Sequence, residues 1–304
     1  MSDLWNLQEF RAGLWFASVA CLVLLIVGLA ISVRAGRQPL PLGGAVIVVG
    51  ALWSIADNRH LPAAVLVGVI GIGAVAGLSH VLRVSRGYCL VLALPFAFLI
   101  GFHGELVSDV WARTLVTVAV AAGATLVTDF DDRWGREAMG LTLFVITAAG
   151  VYATVPDTEL VGAVLGASLP LLLLGWPARL ASLGRPGGAA ATALLLWAGA
   201  AGGGGRPASI VAVVACLGLL VGVPVGTFLL PRAAATFRRV SVSPLLLSLV
   251  GSHVVIVVTA ARVAGQRTDL AGAAVLAVVI GAAAVLIGAM FRPPSHAAEP
   301  ARVD

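Results

Sequence analysis

Long apolar runs separated by short polar stretches follow one another along this chain from Leu14 to Phe291. The runs are continuous and do not alternate with period two, so they read as helices and not as strands. A helix pairs its own backbone N–H and C=O groups, which is the condition for a segment surrounded by hydrocarbon. Roughly 20 apolar residues are needed for each crossing, and fewer where the bilayer thins. The pattern places spans at Leu14–Val33, Leu40–Ala56, Leu61–Val84, Tyr88–Phe102, Val110–Thr128, Ala138–Val155, Leu160–Trp176, Ala189–Ala201, Ala208–Leu230, Pro244–Ala261 and Leu270–Phe291. The expected fold class is an all-α, polytopic transmembrane helix bundle of about 11 spans, with nine to eleven as the range. The eighth run is short and leads into Gly202–Gly205, so a re-entrant or broken helix is an alternative there.

Residues 1–291 are expected to form a single integral membrane domain, and the polar stretch 292–304 reads as a disordered cytoplasmic tail. The first run resembles a signal peptide only superficially. Its leader carries Asp3 and Glu9 against Arg11, and its apolar stretch is too long for an h-region, so it reads as a retained span.

Composition agrees with a lipid solvent. Sixty per cent of residues are hydrophobic and 11% charged, where a soluble domain carries about a quarter charged. All 19 basic residues are arginine, and the apolar content leans on Ala, Val, Leu and Gly. This usage suggests a high-GC bacterial genome, and with it a bacterial plasma membrane. The net charge of +5 does not indicate nucleic acid, because the arginines come in ones and twos between apolar runs with no basic stripe. The expected partner is the lipid bilayer.

Arginine placement gives an orientation, since short loops rich in Arg stay cytoplasmic. With the loop after the first span inside, thirteen arginines fall inside, among them Arg34, Arg37, Arg83, Arg86, Arg133, Arg136, Arg179 and Arg185, and six fall outside. The N-terminus is then out and the C-terminus in. Trp15, Trp111 and Trp176 stand near proposed span ends, where amphipathic rings favour the headgroup level. Cys21, Cys89 and Cys216 lie far apart in apolar runs and read as small buried hydrophobes. Leu230-Pro231-Arg232 echoes Trp176-Pro177-Ala178-Arg179 only as any cytoplasmic loop start would, so no internal repeat is assigned.

The most polar loop is Thr128-Asp129-Phe130-Asp131-Asp132-Arg133-Trp134-Gly135-Arg136-Glu137. Carboxylates clustered at a membrane face are what Mg²⁺ and a diphosphate require, because hard cations take oxygen ligands and bridge phosphates. Asp129, Asp131 and Asp132 are similar in this respect to the Asp-rich loops of UbiA-type intramembrane prenyltransferases. The resemblance covers under ten residues and implies a lipid or prenyl diphosphate substrate. Those enzymes use two such loops on one side, the first with an Asn-Asp-x-x-Asp pattern, and this chain has no second. Asp57-Asn58-Arg59-His60 falls on the opposite face. The competing reading is structural, for Asp129 with Arg133, Arg133 with Glu137 and Asp132 with Arg136 have helix-surface ion-pair spacing.

His253 stands near the middle of the tenth span, and an ionisable group at that depth is a functional candidate and a natural proton carrier. Ser248, Ser252 and Thr259 project within about 40° of one another, making a polar stripe beside it. The fifth span has a second stripe, Thr114, Thr117, Ala121, Thr125 and Thr128. If the two stripes face each other they enclose a substrate path; helix packing with self-satisfied hydroxyls is the plainer reading. Gly218, Gly222 and Gly226, with Pro224 among them, form a ridge suited to close packing, to homo- or hetero-oligomer contacts, or to a discontinuous helix. His103, Glu105 and Asp109 could hold a metal, but Asp109 with Arg113 reads better as an ion pair. Asp157 and Glu159 read as acid in a helix's first turn.

No GxSxG, HExxH, P-loop or dinucleotide fingerprint occurs in its required context, and no cofactor or resident metal is expected. Three functions remain. A transporter or flippase-like carrier leads, because many spans with polar stripes and little extramembrane mass suit moving a substrate. An intramembrane transferase using the Asp-rich loop and a non-catalytic membrane subunit follow.

Overall fold

The computed structural model describes residues 7–35, 40–58, 61–103, 110–134, 139–155, 159–175 and 180–202. These form helices α1 (Gln8–Ala35), α2 (Gly43–Asn58), α3 (Ala63–Val81), α4 (Arg86–His103), α5 (Val110–Trp134), α6 (Met139–Thr154), α7 (Glu159–Ser168), α8 (Leu171–Gly175) and α9 (Arg185–Gly202). Among the described residues there is no strand beyond one isolated parallel bridge, Leu40 with Ala181. The ninth, tenth and eleventh expected spans and the tail lie outside the described residues.

The described part is therefore all-helical, as the continuous apolar runs predict. One described helix, α3, is both long and apolar enough to cross a bilayer. Its 19 residues rise about 28 Å, close to the ~30 Å hydrocarbon thickness. Shorter apolar helical stretches lie at Gly43–Ala56, Gly87–His103, Val116–Thr125 and Glu159–Ser168.

Helix directions follow from which ends meet. The Ser54 hydroxyl, late in α2, donates to the Glu9 carbonyl at the start of α1 (2.5 Å), so these two run antiparallel. Ser79 in α3 donates to the Cys89 sulfur in α4 at 3.3 Å, and Gly101 near the end of α4 packs on the Arg113 carbonyl near the start of α5. Gly162 early in α7 lies against Phe10 of α1 and against Tyr152 late in α6. With the short α8 counted as a continuation of α7, the described helices therefore alternate in direction, with α1 parallel to α7 and α2 parallel to α9. One end of the bundle gathers Glu9, the end of α2 and Glu159; the other gathers Arg83, Leu40–Gly44 and Leu180–Arg185.

Three local departures from the expected spans have physical causes. The seventh run does not form one helix: a turn at Leu169–Pro170 separates α7 from α8, because proline has no N–H to continue the ladder. The fifth run continues as helix past Thr128 to Trp134, so the Asp-rich segment expected as a loop is the last part of α5 up to that residue. The eighth run forms one helix as far as Gly202, and residues 203–205, where the alternative places a break, lie outside the described residues. The helix begins at Arg185, not Ala189, with Pro186 in the first turn, where its missing N–H costs nothing.

That helix, α9, is the axis of the described bundle. Every residue from Gly187 to Ala200 is buried, and it packs against α2, α3, α5, α6 and α7. A helix made largely of Gly and Ala lets neighbours approach on all sides, which is how an axial helix can be enclosed without voids. Larger side chains fill the spaces between the outer helices, Phe144, Ile47, Ile55, Ile72, Ile100 and Leu141 among them.

The end of α3 is closed by a reciprocal turn. Val84 N–H donates to the Ser79 carbonyl (2.9 Å) and Arg83 N–H to the His80 carbonyl (3.3 Å), the Schellman pattern. Arg83 takes the left-handed position, φ 52°, that glycine usually fills.

Candidate functional site

The two stripes proposed as walls of a path meet the structure unequally. Ser248, Ser252, His253 and Thr259 lie outside the described residues, as do Gly218, Gly222, Pro224 and Gly226. Whether the stripes face each other is therefore outside the described residues too. Thr114, Thr117 and Thr125 all lie on α5.

Each of these three hydroxyls bonds its own helix. Thr114 donates to the Val110 carbonyl (2.9 Å), Thr117 to Arg113 (2.9 Å), and Thr125 to Ala121 (2.9 Å) and Ala122 (3.1 Å). Thr114 is exposed, while Thr117 is buried against Gly101 of α4. A hydroxyl bonded to the turn before it needs no partner across the interface and leaves its methyl to pack. Of the stripe, Thr117 packs on α4, while Thr114 is exposed.

The same holds deeper in the bundle. Ser79 also donates to the Ala76 carbonyl (3.0 Å), Ser168 to Leu165 (3.0 Å) and Thr192 to Gly188 (2.8 Å). On the face of α9 that meets α5, Thr192 and Leu196 enclose Gly123. Threonine there serves as a β-branched hydrophobe whose polarity is absorbed locally.

Asp129, Asp131 and Asp132 occupy the last part of α5. At ~100° per residue, positions 129 and 132 fall about 60° apart and position 131 roughly 100° further round, so one helical face does not collect all three. Positions 129 and 133 do share a face, the arrangement that suits an ion pair. His103 closes α4, is exposed, and meets Phe98 edge-on at 6.1 Å between ring centroids. Glu105 and Asp109, its suggested companions, lie outside the described residues. Among the described residues no group of three or more His, Cys, Asp or Glu could hold a metal ion. Cys21 and Cys89 are free thiols, and Cys89 is buried.

What sequence reasoning missed is a contact between distant glycine pairs. Gly43 and Gly44 open α2, and Gly187 and Gly188 lie in the first turn of α9; Gly44 and Gly187 are in backbone contact. The tripeptide Gly-Gly-Ala recurs at 43–45 and 187–189, the one signal that could have drawn attention to it. No protein-family model matches the sequence, and no curated protein matches it.

One outcome follows for the threonine stripe. Thr117→Val keeps the shape and removes a hydroxyl that donates to its own helix, so thermal unfolding of the purified protein should shift by less than about 1 kcal/mol equivalent. A much larger loss would mean that the hydroxyl serves a partner beyond its own helix.

Proposed function

We propose that this chain is a multi-pass integral protein of a bacterial plasma membrane, N-terminus out and C-terminus in, that acts as a transporter or flippase-like carrier. The observation that carries the membrane part of this reading is the outer surface of the described helices. Trp15 is 73% exposed, Trp53 66%, Ile70 58%, Val81 75%, Tyr88 68% and Val91 59%. Along the central helix α9 the buried residues are mostly small, while larger ones such as Phe144 and Ile72 fill the spaces between the outer helices. Large apolar side chains on the outer surface with Gly and Ala at the central helix contacts suit a bundle in which lipid is the solvent and helix packing is the driving force. Water would penalise such a surface, since contiguous apolar patches this extensive mark membrane or protein contacts.

Aromatic levels support the same reading. Trp15 lies about 10 Å along α1 from its start and Trp53 about 8 Å from the end of α2, at similar depth because those helices are antiparallel. Tyr88 stands near the start of α4 at the opposite end. Rings at two levels suit two headgroup regions. Arg83 and Arg185 fall at the same end of the alternating helices, the end that the arginine bias assigns to the cytoplasm.

The carrier part rests on the many apolar helices, the polar stripe around His253 and the near absence of polar stretches long enough for a separate soluble domain. The test has two stages. Membrane vesicles washed in alkaline carbonate should retain the whole chain, and its release into the supernatant would end the membrane reading. Reconstituted vesicles should then accumulate substrate in a manner reduced by His253→Ala. Mg²⁺-dependent turnover of a prenyl diphosphate, abolished in Asp131→Asn, would replace the carrier with the transferase; a stoichiometric co-purifying partner with neither activity would replace it with a subunit.

A further inference from the structure

The first helix presents two unlike faces. Phe10, Gly13, Ala17 and Leu24 are buried on one side of α1, where α7 and α2 pack. Gly13 lies against the Ala163 carbonyl of α7, and the Phe16 ring, on the flank, meets Gly50 of α2. On the other side stand Trp15, Val19, Leu22 and Ile26, each more than half exposed. At ~100° per residue these four fall within about 60° of one another, and the buried four are centred about 180° away.

The outward four follow one another at spacings of four, three and four residues, which is a heptad seam. Val19 and Ile26 take position a, Trp15 and Leu22 position d, and the residues at 29 and 33, Leu and Val, continue the register in the sequence. The buried Phe10, Ala17 and Leu24 then fall at f and Gly13 at b, on the side away from such a seam. Lipid exposure accounts for apolar residues on this face but not for their order. Acyl chains accept valine, isoleucine and leucine alike at any outward position, whereas a facing helix does not. In parallel pairs, β-branched residues at a with leucine at d select two strands, because each knob must fit the hole that the other helix offers at that layer. Neither of the neighbouring exposed faces has this order. On α3 the outward positions at the same spacing are Ala63, Val67, Ile70 and Ala74, with small residues where large knobs would be needed. On α4 the outward line runs through Val91, Pro95 and Phe98, and the proline interrupts it.

Direction supplies the second argument. Copies of an integral membrane protein share one orientation, so a twofold axis along the bilayer normal sets α1 beside α1, parallel and in register, with each residue of the seam opposite its own copy. A seam of a and d positions is self-complementary under that operation. We propose that α1 is a dimer interface, the seam Trp15, Val19, Leu22 and Ile26 packing within the bilayer against the same seam of a second copy of this chain. This rests on the membrane reading above and not on the carrier reading.

The test is disulfide trapping of the full chain in lipid vesicles, in a background of Cys21→Ser, Cys89→Ser and Cys216→Ser. Val19→Cys, Leu22→Cys and Ile26→Cys each set a thiol opposite its own copy across the axis. Oxidation should yield covalent dimer about tenfold more efficiently from these than from Ile70→Cys, a similarly exposed position on α3. Equal yields at all four positions would be random collision, and no dimer from the three α1 positions would leave the seam facing lipid; either result overturns the proposal. Val19→Leu combined with Leu22→Ile and Ile26→Leu needs no cysteine, keeps the face apolar and exchanges the residue types of the a and d layers. Photobleaching of chains carrying one fluorophore each should show mostly two steps per particle for the parent, and a two-step fraction reduced about fivefold for the exchanged chain. A parent that bleaches in one step, or an exchanged chain that pairs as well as the parent, refutes an interface set by this register. Release of the chain from vesicles by carbonate sinks the membrane reading and the dimer with it; retention without register-dependent trapping sinks the dimer alone.

Discussion

Gly166→Leu is expected to prevent accumulation of folded protein. The Cβ alone would fall on the Phe10 carbonyl and lie 3.1 Å from the Phe10 Cα, main-chain atoms that no rotamer change can move aside. The α1–α7 pair would have to separate, taking with it Gly13 against Ala163 and the Ser54–Glu9 hydrogen bond that ties α2 to the same region. Overpacking a flexible core costs about 1–3 kcal/mol and more where the neighbour cannot yield. The loss here should be at least ~3 kcal/mol, a large part of the 5–15 kcal/mol typical of folded domains. Size-exclusion chromatography of detergent-solubilised protein should show the monodisperse peak lost. Gly87→Leu is the control, because nothing lies within 4 Å of the Cβ position there, and its peak should be unchanged. Equal behaviour of the two variants would contradict the close α1–α7 approach.

Trp197→Ala should destabilise by ~3–5 kcal/mol, the range for removing a buried aromatic. Trp197 is 4% exposed and is the largest side chain on α9, whose other buried positions are mostly Gly and Ala. Leu194, three residues back on the same face, can fill only part of the vacated volume, so much of the cavity should persist. Thermal unfolding followed in detergent checks this, with Trp53→Ala as comparison. Trp53 is 66% exposed on α2 and leaves no enclosed cavity, so its truncation should cost well under half as much. If Trp53 proved the more costly, the outward and inward faces of these helices would have been assigned the wrong way round.

Much of the described architecture was readable from the apolar pattern, because a continuous apolar run has few solutions other than a helix. Each of the first eight runs contains a helix, and the ends that meet are consistent with strict alternation of direction. The Asp-rich segment was ambiguous for a stated reason. Its charges suit either a solvated loop or a helix surface, and only the ladder through Trp134 separates the two. The threonine stripe was legible, yet whether Thr117 lines water or packs on Gly101 depends on a neighbour 16 positions away in sequence. His253 and its companions lie outside the described residues, so the leading functional candidate still rests on its depth within an apolar run.

From residue types alone came the helical class and the approximate places of the described helices. These are local or solvent-driven properties, set by each segment's own backbone satisfaction and by transfer of side chains between water and hydrocarbon. Which helix is central, where two backbones touch, and that Leu40 is bridged to Ala181 were decided only by tertiary structure. Gly and Ala permit close approach everywhere they occur, and a sequence does not state which of many permitted approaches is made.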